Sequence, residues 1–119
     1  MERRPAQTFR DLIVWQMTHQ LVLNVHAMTQ SFPKEEIYGL TSQIRRSSVS
    51  VAANIVEGFK KKGKRDKLRF MNISQGSLAE TMYYLILVND LNYFKTDPLL
   101  GDAVEVEKIL ESYRNAFNK

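Results

Sequence analysis

Nine cationic side chains fall between Thr41 and Phe70: Arg45, Arg46, Lys60, Lys61, Lys62, Lys64, Arg65, Lys67 and Arg69. They are more than half of the seventeen in the chain, and only Glu57 and Asp66 oppose them there, so the segment carries +7. Residues 1–40 balance four basic groups against four acidic ones and residues 71–119 set four against seven, so the net charge of +4 originates in one stretch. Charge focused in this way captures polyanions, which makes a nucleic acid the first partner to consider. Phe59 and Phe70 add aromatic faces beside the cations, a combination suited to cation–π contact and base stacking. The expected contacts are Arg45, Lys60, Lys61, Lys62, Lys64, Arg65, Lys67 and Arg69. Nothing resembles a helix with base-reading residues, so binding should tolerate sequence and depend steeply on salt. The alternative is a protein-interaction scaffold, whose basic segment meets an acidic protein surface or merely solvates a turn.

Other chemistries find little footing. Gly58 to Arg65 has the G-x-x-x-x-G-K spacing of a phosphate-binding loop, but Arg65 stands where Ser or Thr must hold magnesium and no strand precedes it. His19 and His26 are seven apart rather than the four that suits a helical metal pair, so no metal site is expected. No nucleophile stands beside a base, and no carboxylates are paired in contrasting surroundings. The expectation is a protein that is not an enzyme and uses no cofactor. With no cysteine, no disulfide contributes to stability. Residues 1–8 lack the apolar stretch of a secretory signal, and the longest apolar run, Leu85–Val88, is far short of the roughly 20 residues that span a bilayer. A cytoplasmic location without membrane contact follows as an expectation.

The positioning elements are helical. A chain of 119 residues supports one core and shows no linker, so residues 1–119 are expected to form a single domain. Val14, Met17, Leu21, Val25, Met28 and Phe32 recur every three or four residues as one stripe of a first helix, about 9–31. Phe32-Pro33 ends it. A second helix, about 35–57, has Ile37, Leu40, Ile44, Val51 and Ile55 as its seam and Gly58 as its exit. Its middle carries the small residues Ser47, Ser48, Ser50, Ala52 and Ala53, which let another helix come close. A third helix, about 65–93, is apolar on more than one face: Met71, Leu78, Met82 and Leu85 on one, Phe70, Ile73, Tyr84, Leu87 and Leu91 on others. A helix apolar most of the way round is central or covered by another subunit. Thr96-Asp97-Pro98 reads as a cap opening a fourth helix, about 98–117, with Leu99, Ala103, Val106, Ile109 or Leu110, Tyr113 and Phe117 as its seam. Short connections predict an all-α, antiparallel up-down four-helix bundle.

If the second and third helices run antiparallel about a turn centred near Lys61–Lys62, Ser50 faces Ile73, Gln43 and Arg46 face Glu80 and Ser77, and Asn54 and Glu57 face Arg69 and Arg65. With Gln75, these form a structural polar network. It should hold an Arg46–Glu80 ion pair near the bundle interior and a Glu57 pair with Arg65 or Arg69 at its end, each fixing register more than adding stability. The other reading has Gln43, Arg46 and Glu80 lining a functional cleft.

Two stretches carry a resemblance: Phe32-Pro-Lys-Glu-Glu-Ile-Tyr-Gly-Leu-Thr-Ser-Gln-Ile-Arg-Arg-Ser-Ser-Val-Ser-Val-Ala-Ala-Asn-Ile-Val-Glu-Gly58 and Phe70-Met-Asn-Ile-Ser-Gln-Gly-Ser-Leu-Ala-Glu80, joined by the Phe9-Arg-Asp-Leu-Ile-Val-Trp15 opening. They resemble the 23S rRNA intervening-sequence proteins of bacteria, and the likeness extends over nearly the whole chain. It implies a small cytoplasmic four-helix bundle, often encoded inside a ribosomal RNA gene insertion, assembling as a homopentamer and without established enzymatic activity. That family is similar in fold to accessory proteins of diversity-generating retroelements, which bind nucleic acid and a reverse transcriptase. By analogy this favours RNA as the partner, with a protein partner as a further expectation. The chain departs from the family pattern at Ser47-Ser48, where at least one alanine is expected, and at Thr81-Met82, where a second acid is commoner.

Overall fold

A computed structural model describes residues 5–118. Four helices dominate: α1, Ile13–Thr29; α2, Leu40–Lys60; α3, Lys64–Asp90; and α4, Asp97–Asn115, with short 3-10 turns at Phe9–Asp11, Lys34–Glu36 and Ala116–Asn118. Among the described residues there is no strand. Each helix packs on its neighbour in sequence and α1 closes against α4. The pairings of Ser50 with Ser77 and Val51 with Ser74 run α2 and α3 antiparallel, and those of Asn72 with Arg114 and Gln75 with Glu111 do the same for α3 and α4.

The apolar stripes define the interior. Val14, Leu21, Val25, Met28 and Phe32 are buried, with Met17 at the margin. They meet Leu40, Ile44, Val51 and Ile55 of α2, Met71, Leu78, Leu85 and Val88 of α3, and Leu99, Ala103, Val106 and Leu110 of α4. Of the two candidates on α4, Leu110 enters the core and Ile109 flanks it. No helix among the described residues is long and apolar enough to cross a membrane.

The second helix begins later and ends later than its sequence pattern predicts. Behind Pro33 the chain makes a 3-10 turn, and Gly39, at φ −107° and ψ −115°, breaks it from α2. Glu36 then serves both neighbours: one carboxylate oxygen accepts the Leu40 amide at 3.2 Å and the other accepts the Tyr93 hydroxyl at 2.8 Å. Its hydrogen bond raises the Tyr93 pKa above the ordinary value. Ile37 therefore stands outside the helix, 57% exposed rather than in the seam, beside Tyr38 at 93%. At the far end Gly58 lies within α2 instead of releasing the chain from it.

Thr96 also acts differently from its expected role. Its hydroxyl makes no cap bond and instead donates to the Leu85 carbonyl at 2.6 Å, tying the α3–α4 connection back onto α3. That connection turns at Asn92, whose φ of 61° is left-handed, with the Tyr93 amide returning to the Val88 carbonyl at 3.1 Å. Asparagine tolerates this conformation better than residues unable to bond locally. Asn92→Ala should therefore lower folding stability by about 1 kcal/mol while Asn92→Gly preserves it, as read by urea denaturation. Equal stability of all three would show that the left-handed turn imposes no strain.

Candidate nucleic-acid interface

Lys61, Lys62 and Gly63 alone join α2 to α3. The tight connection places Lys60, Lys61, Lys62, Lys64 and Arg65 at one end of the bundle. The Phe9–Asp11 turn, which contacts α2, and the Ala116–Asn118 turn, which contacts α3, share that end. Lys60, Lys62, Lys64, Arg65 and Arg69 are exposed and Lys61 is half-buried. Lys61, just past the end of α2, lies 3.9 Å from Glu57 four residues back, a largely solvated arrangement worth well under 1 kcal/mol. Lys60, Lys62, Lys64, Arg65 and Arg69 enter no ion pair among the described residues.

Every cation–π contact among the described residues also lies at this end. Lys61 and Arg69 sit 5.2 and 5.6 Å from the Phe70 ring, Lys67 sits 5.8 Å from Phe59 and 5.7 Å from Phe117, and Arg10 sits 5.9 Å from Trp15. Lysines and arginines are thus interleaved with half-buried rings. Such a surface offers both phosphate-binding charge and π-faces.

Two of the residues expected in the interface have other occupations. Arg45 is about 22 Å from Lys60 along the helix, given 1.5 Å per residue, and its Nε donates to Thr29 Oγ1 at 2.8 Å, fastening α1 to α2. Lys67 is half-buried, and its Nζ donates to the carbonyls of Gly58 at 3.2 Å and Phe59 at 2.9 Å. It neutralises the negative end of α2, where carbonyls lack intrahelical partners. Arg10, Trp15 and Phe117 join the end although the charge run does not include them; the signal available was aromatic residues within a few positions of a cation near either terminus.

The α2–α3 seam differs from its expected register by about one helical turn. Ser50 Oγ meets Ser77 Oγ at 2.8 Å rather than facing Ile73. Ser74 Oγ donates to the Val51 carbonyl at 2.8 Å, and Thr81 Oγ1 lies 2.8 Å from Ser47 Oγ. Asn54 donates to the Ser50 carbonyl at 2.8 Å. The small residues do allow close approach, and the hydroxyls satisfy one another: no buried side-chain polar atom among the described residues lacks a partner.

Neither expected ion pair forms. Arg46 is exposed and makes no ion pair among the described residues, while Glu80 accepts the Tyr84 hydroxyl one turn along α3 at 2.8 Å, a bond that raises the Tyr84 pKa. Glu57 takes Lys61 instead of Arg65 or Arg69. The physical reason is solvent: at an exposed site water competes with long-range pairing, and a partner one turn away costs less ordering. Gln43, Arg46, Ser47, Ser50, Ser77 and Glu80 instead line an open cleft of about 240 Å³. Gln75 reaches across to Glu111 on α4.

The histidines have separate surroundings. His19 stacks on Trp15 with centroids 4.9 Å apart and an interplanar angle of 7°, while His26 Nδ1 lies 3.0 Å from the Val22 carbonyl. Among the described residues no cluster of three or more His, Cys, Asp or Glu could hold a metal ion.

Residues 10–112 match the family described as 23S rRNA-intervening sequence protein. A crystal structure of a protein of unknown function from the S23 ribosomal protein family of Bacteroides thetaiotaomicron has the same fold. It is 22% identical, with a TM-score of 0.76 over 86% of this chain and 98% of that one. No curated protein matches the chain.

Proposed function

The chain belongs to the 23S rRNA-intervening sequence protein family, and from that premise we propose that it is a non-enzymatic, cytoplasmic, homo-oligomeric bundle that binds RNA through the cationic end of α2 and α3. The observation that carries this reading is the concentration there of Lys60, Lys62, Lys64 and Arg65, which enter no ion pair among the described residues, beside the Phe70 ring that already holds Lys61 and Arg69. Phosphate neutralisation by such groups releases counterions, so affinity depends on salt and little on sequence.

Self-association is supported by exposed apolar side chains on α2 and α3. Val49, Ile73, Tyr83 and Ile86 on these helices are 41–58% exposed, apolar side chains that another subunit could cover. In a ring of five, as the resemblance implies, the cationic end recurs around one rim, and weak single contacts combine into useful avidity.

The test is RNA binding over a salt series by the wild-type protein and by a variant with Lys60, Lys61, Lys62 and Lys64 changed to glutamine. We expect a linear log–log fall in affinity for single-stranded RNA. Its slope should be shallower by about 3 in the variant, since each lost contact on a single strand contributes roughly 0.7. Sedimentation should give both proteins the same oligomeric state. Equal and feeble binding by both would refute the reading and favour a protein-interaction scaffold. The feature that favours the scaffold is the opposite end of the bundle, where Ile37, Tyr38, Leu91 and Phe94 are exposed.

A further inference from the structure

We infer that the Trp15–His19 stack on α1 is a platform for an unpaired nucleobase, so that the cationic end takes single-stranded nucleic acid in preference to duplex. The inference rests on the reading of that end as a polyanion site and adds to it the conformation of the ligand. The two rings are parallel to within 7° at 4.9 Å. Trp15 is half-buried and packs on the core, whereas His19 is exposed. The stack therefore ends in an imidazole at the surface of α1.

The platform is held in place before any ligand arrives. Phe9 sets its edge against Trp15 at 5.1 Å and 70°, and the Arg10 guanidinium lies 5.9 Å from the indole. The turn that carries both is locked: the amides of Gln7 and Thr8 donate to Asp11 Oδ2 at 3.0 and 3.1 Å, the Arg10 amide donates to Thr8 Oγ1 at 3.2 Å, and Gln16 Nε2 donates to the Arg10 carbonyl at 2.8 Å. A preorganised site loses less conformational freedom on binding.

Its position suits a strand that also crosses the lysines. The Arg45–Thr29 bond fixes the register of α1 against α2. Counting equal steps along antiparallel helices from that bond brings Trp15 level with Phe59 and His19 level with Ile55. The stack is thus level with the last turns of α2, with Trp15 within one residue's rise of Lys60 along the axis, and with the exposed Arg10 beside the indole to meet a phosphate. A duplex keeps its bases stacked on one another and can offer this surface only its backbone. A single strand can place a base on His19, and each base stacked on an aromatic group improves binding by roughly tenfold.

The chain has a single tryptophan, so Trp15 emission reports on this site alone. The experiment titrates full-length protein with a fluorescently labelled twelve-nucleotide oligoadenylate RNA and with a twelve-base-pair RNA duplex, reading anisotropy and Trp15 emission in parallel. The expected result is a change in Trp15 emission with the single strand only, and about tenfold tighter binding of the single strand. His19→Ala should remove most of that preference with duplex affinity unchanged, and His19→Phe should keep it. The glutamine variant at Lys60, Lys61, Lys62 and Lys64 should weaken both ligands. Equal affinities with unmoved Trp15 emission, or a His19→Ala protein that discriminates like the wild type, would overturn the platform and leave the cationic end as a polyanion site. Failure of wild-type protein to bind either RNA would overturn both readings together.

Discussion

Lys67→Met is expected to lower folding stability by about 2–3 kcal/mol, the typical consequence of losing hydrogen bonds from a charged donor, although Lys67 lies in the middle of what reads as a solvated basic run. Methionine keeps much of the side chain's length and apolar stem, so the comparison isolates the ammonium. In the wild-type protein that ammonium bonds the Gly58 and Phe59 carbonyls and sits over the rings of Phe59 and Phe117. It joins the start of α3 to the end of α2 and to the C-terminal turn. The Gly58 carbonyl keeps the Lys61 amide at 3.3 Å in the variant, so the larger penalty falls on Phe59. For a domain of this size the loss corresponds to a fall in Tm on the order of 10 °C. Lys64→Met, at an exposed position without an ion-pair partner among the described residues, should stay within about 0.5 kcal/mol of wild type. Urea denaturation of the two variants side by side checks the division. If they matched, Lys67 would belong with the binding cations.

That division was hidden in the sequence because charge alone does not say what a lysine meets. The run from Lys60 to Arg69 is legible as a charged segment, and its place between two helices follows from Gly63 and the flanking periodicity. Lys67 is distinguished only by register, since it must face back across the turn to reach α2. The same limit explains Arg45, which shares a helix with Lys60 but points to Thr29 on α1. The Trp15–His19 pair at i, i+4 was visible as a spacing, and its partner Arg10 is close in sequence; what the sequence lacked was the 3-10 turn that brings them together.

The core was far more legible. Apolar residues at helical spacing can be buried only on one side, and the stripes on α1, α3 and α4 enter the interior largely as periodicity requires. Boundaries depended on single residues. Reading Gly58 as an exit shortened α2, although the turn itself falls near Lys61–Lys62 as expected; equal counting from that turn missed the register by about one helical turn, which pairs Ser50 with Ser77. The pairs Ser47-Ser48 and Thr81-Met82, far apart along the chain, meet in space: Ser47 and Thr81 lie 2.8 Å apart and are both buried.

Gly58 accounts for the closeness of α2 and α3, and its replacement gives the second large effect. A Cβ built at Gly58 would stand 2.5 Å from Met71 Cε and 3.2 Å from Phe70 Cβ. Met71 is fully buried, so its terminal methyl has little room to retreat. Phe70 Cβ is attached directly to the backbone and can yield only if α3 moves. Alanine gains up to about 1 kcal/mol in helix propensity over glycine, and overpacking costs about 1–3 kcal/mol. Gly58→Ala should therefore be destabilising by about 1 kcal/mol net, and Gly58→Val, which adds two further carbons, by about 3 kcal/mol. Gly101 supplies the opposite sign. It lies in α4, is exposed, and a Cβ there meets nothing within 4 Å, so Gly101→Ala should stabilise the fold by about 0.5–1 kcal/mol. Shortening Met71 tests the cause: in a double-mutant cycle, Met71→Val should absorb part of the Gly58→Ala penalty because the clashing methyl is gone. Simple additivity would mean that α2 and α3 separate to admit the alanine and that Gly58 does not set their distance.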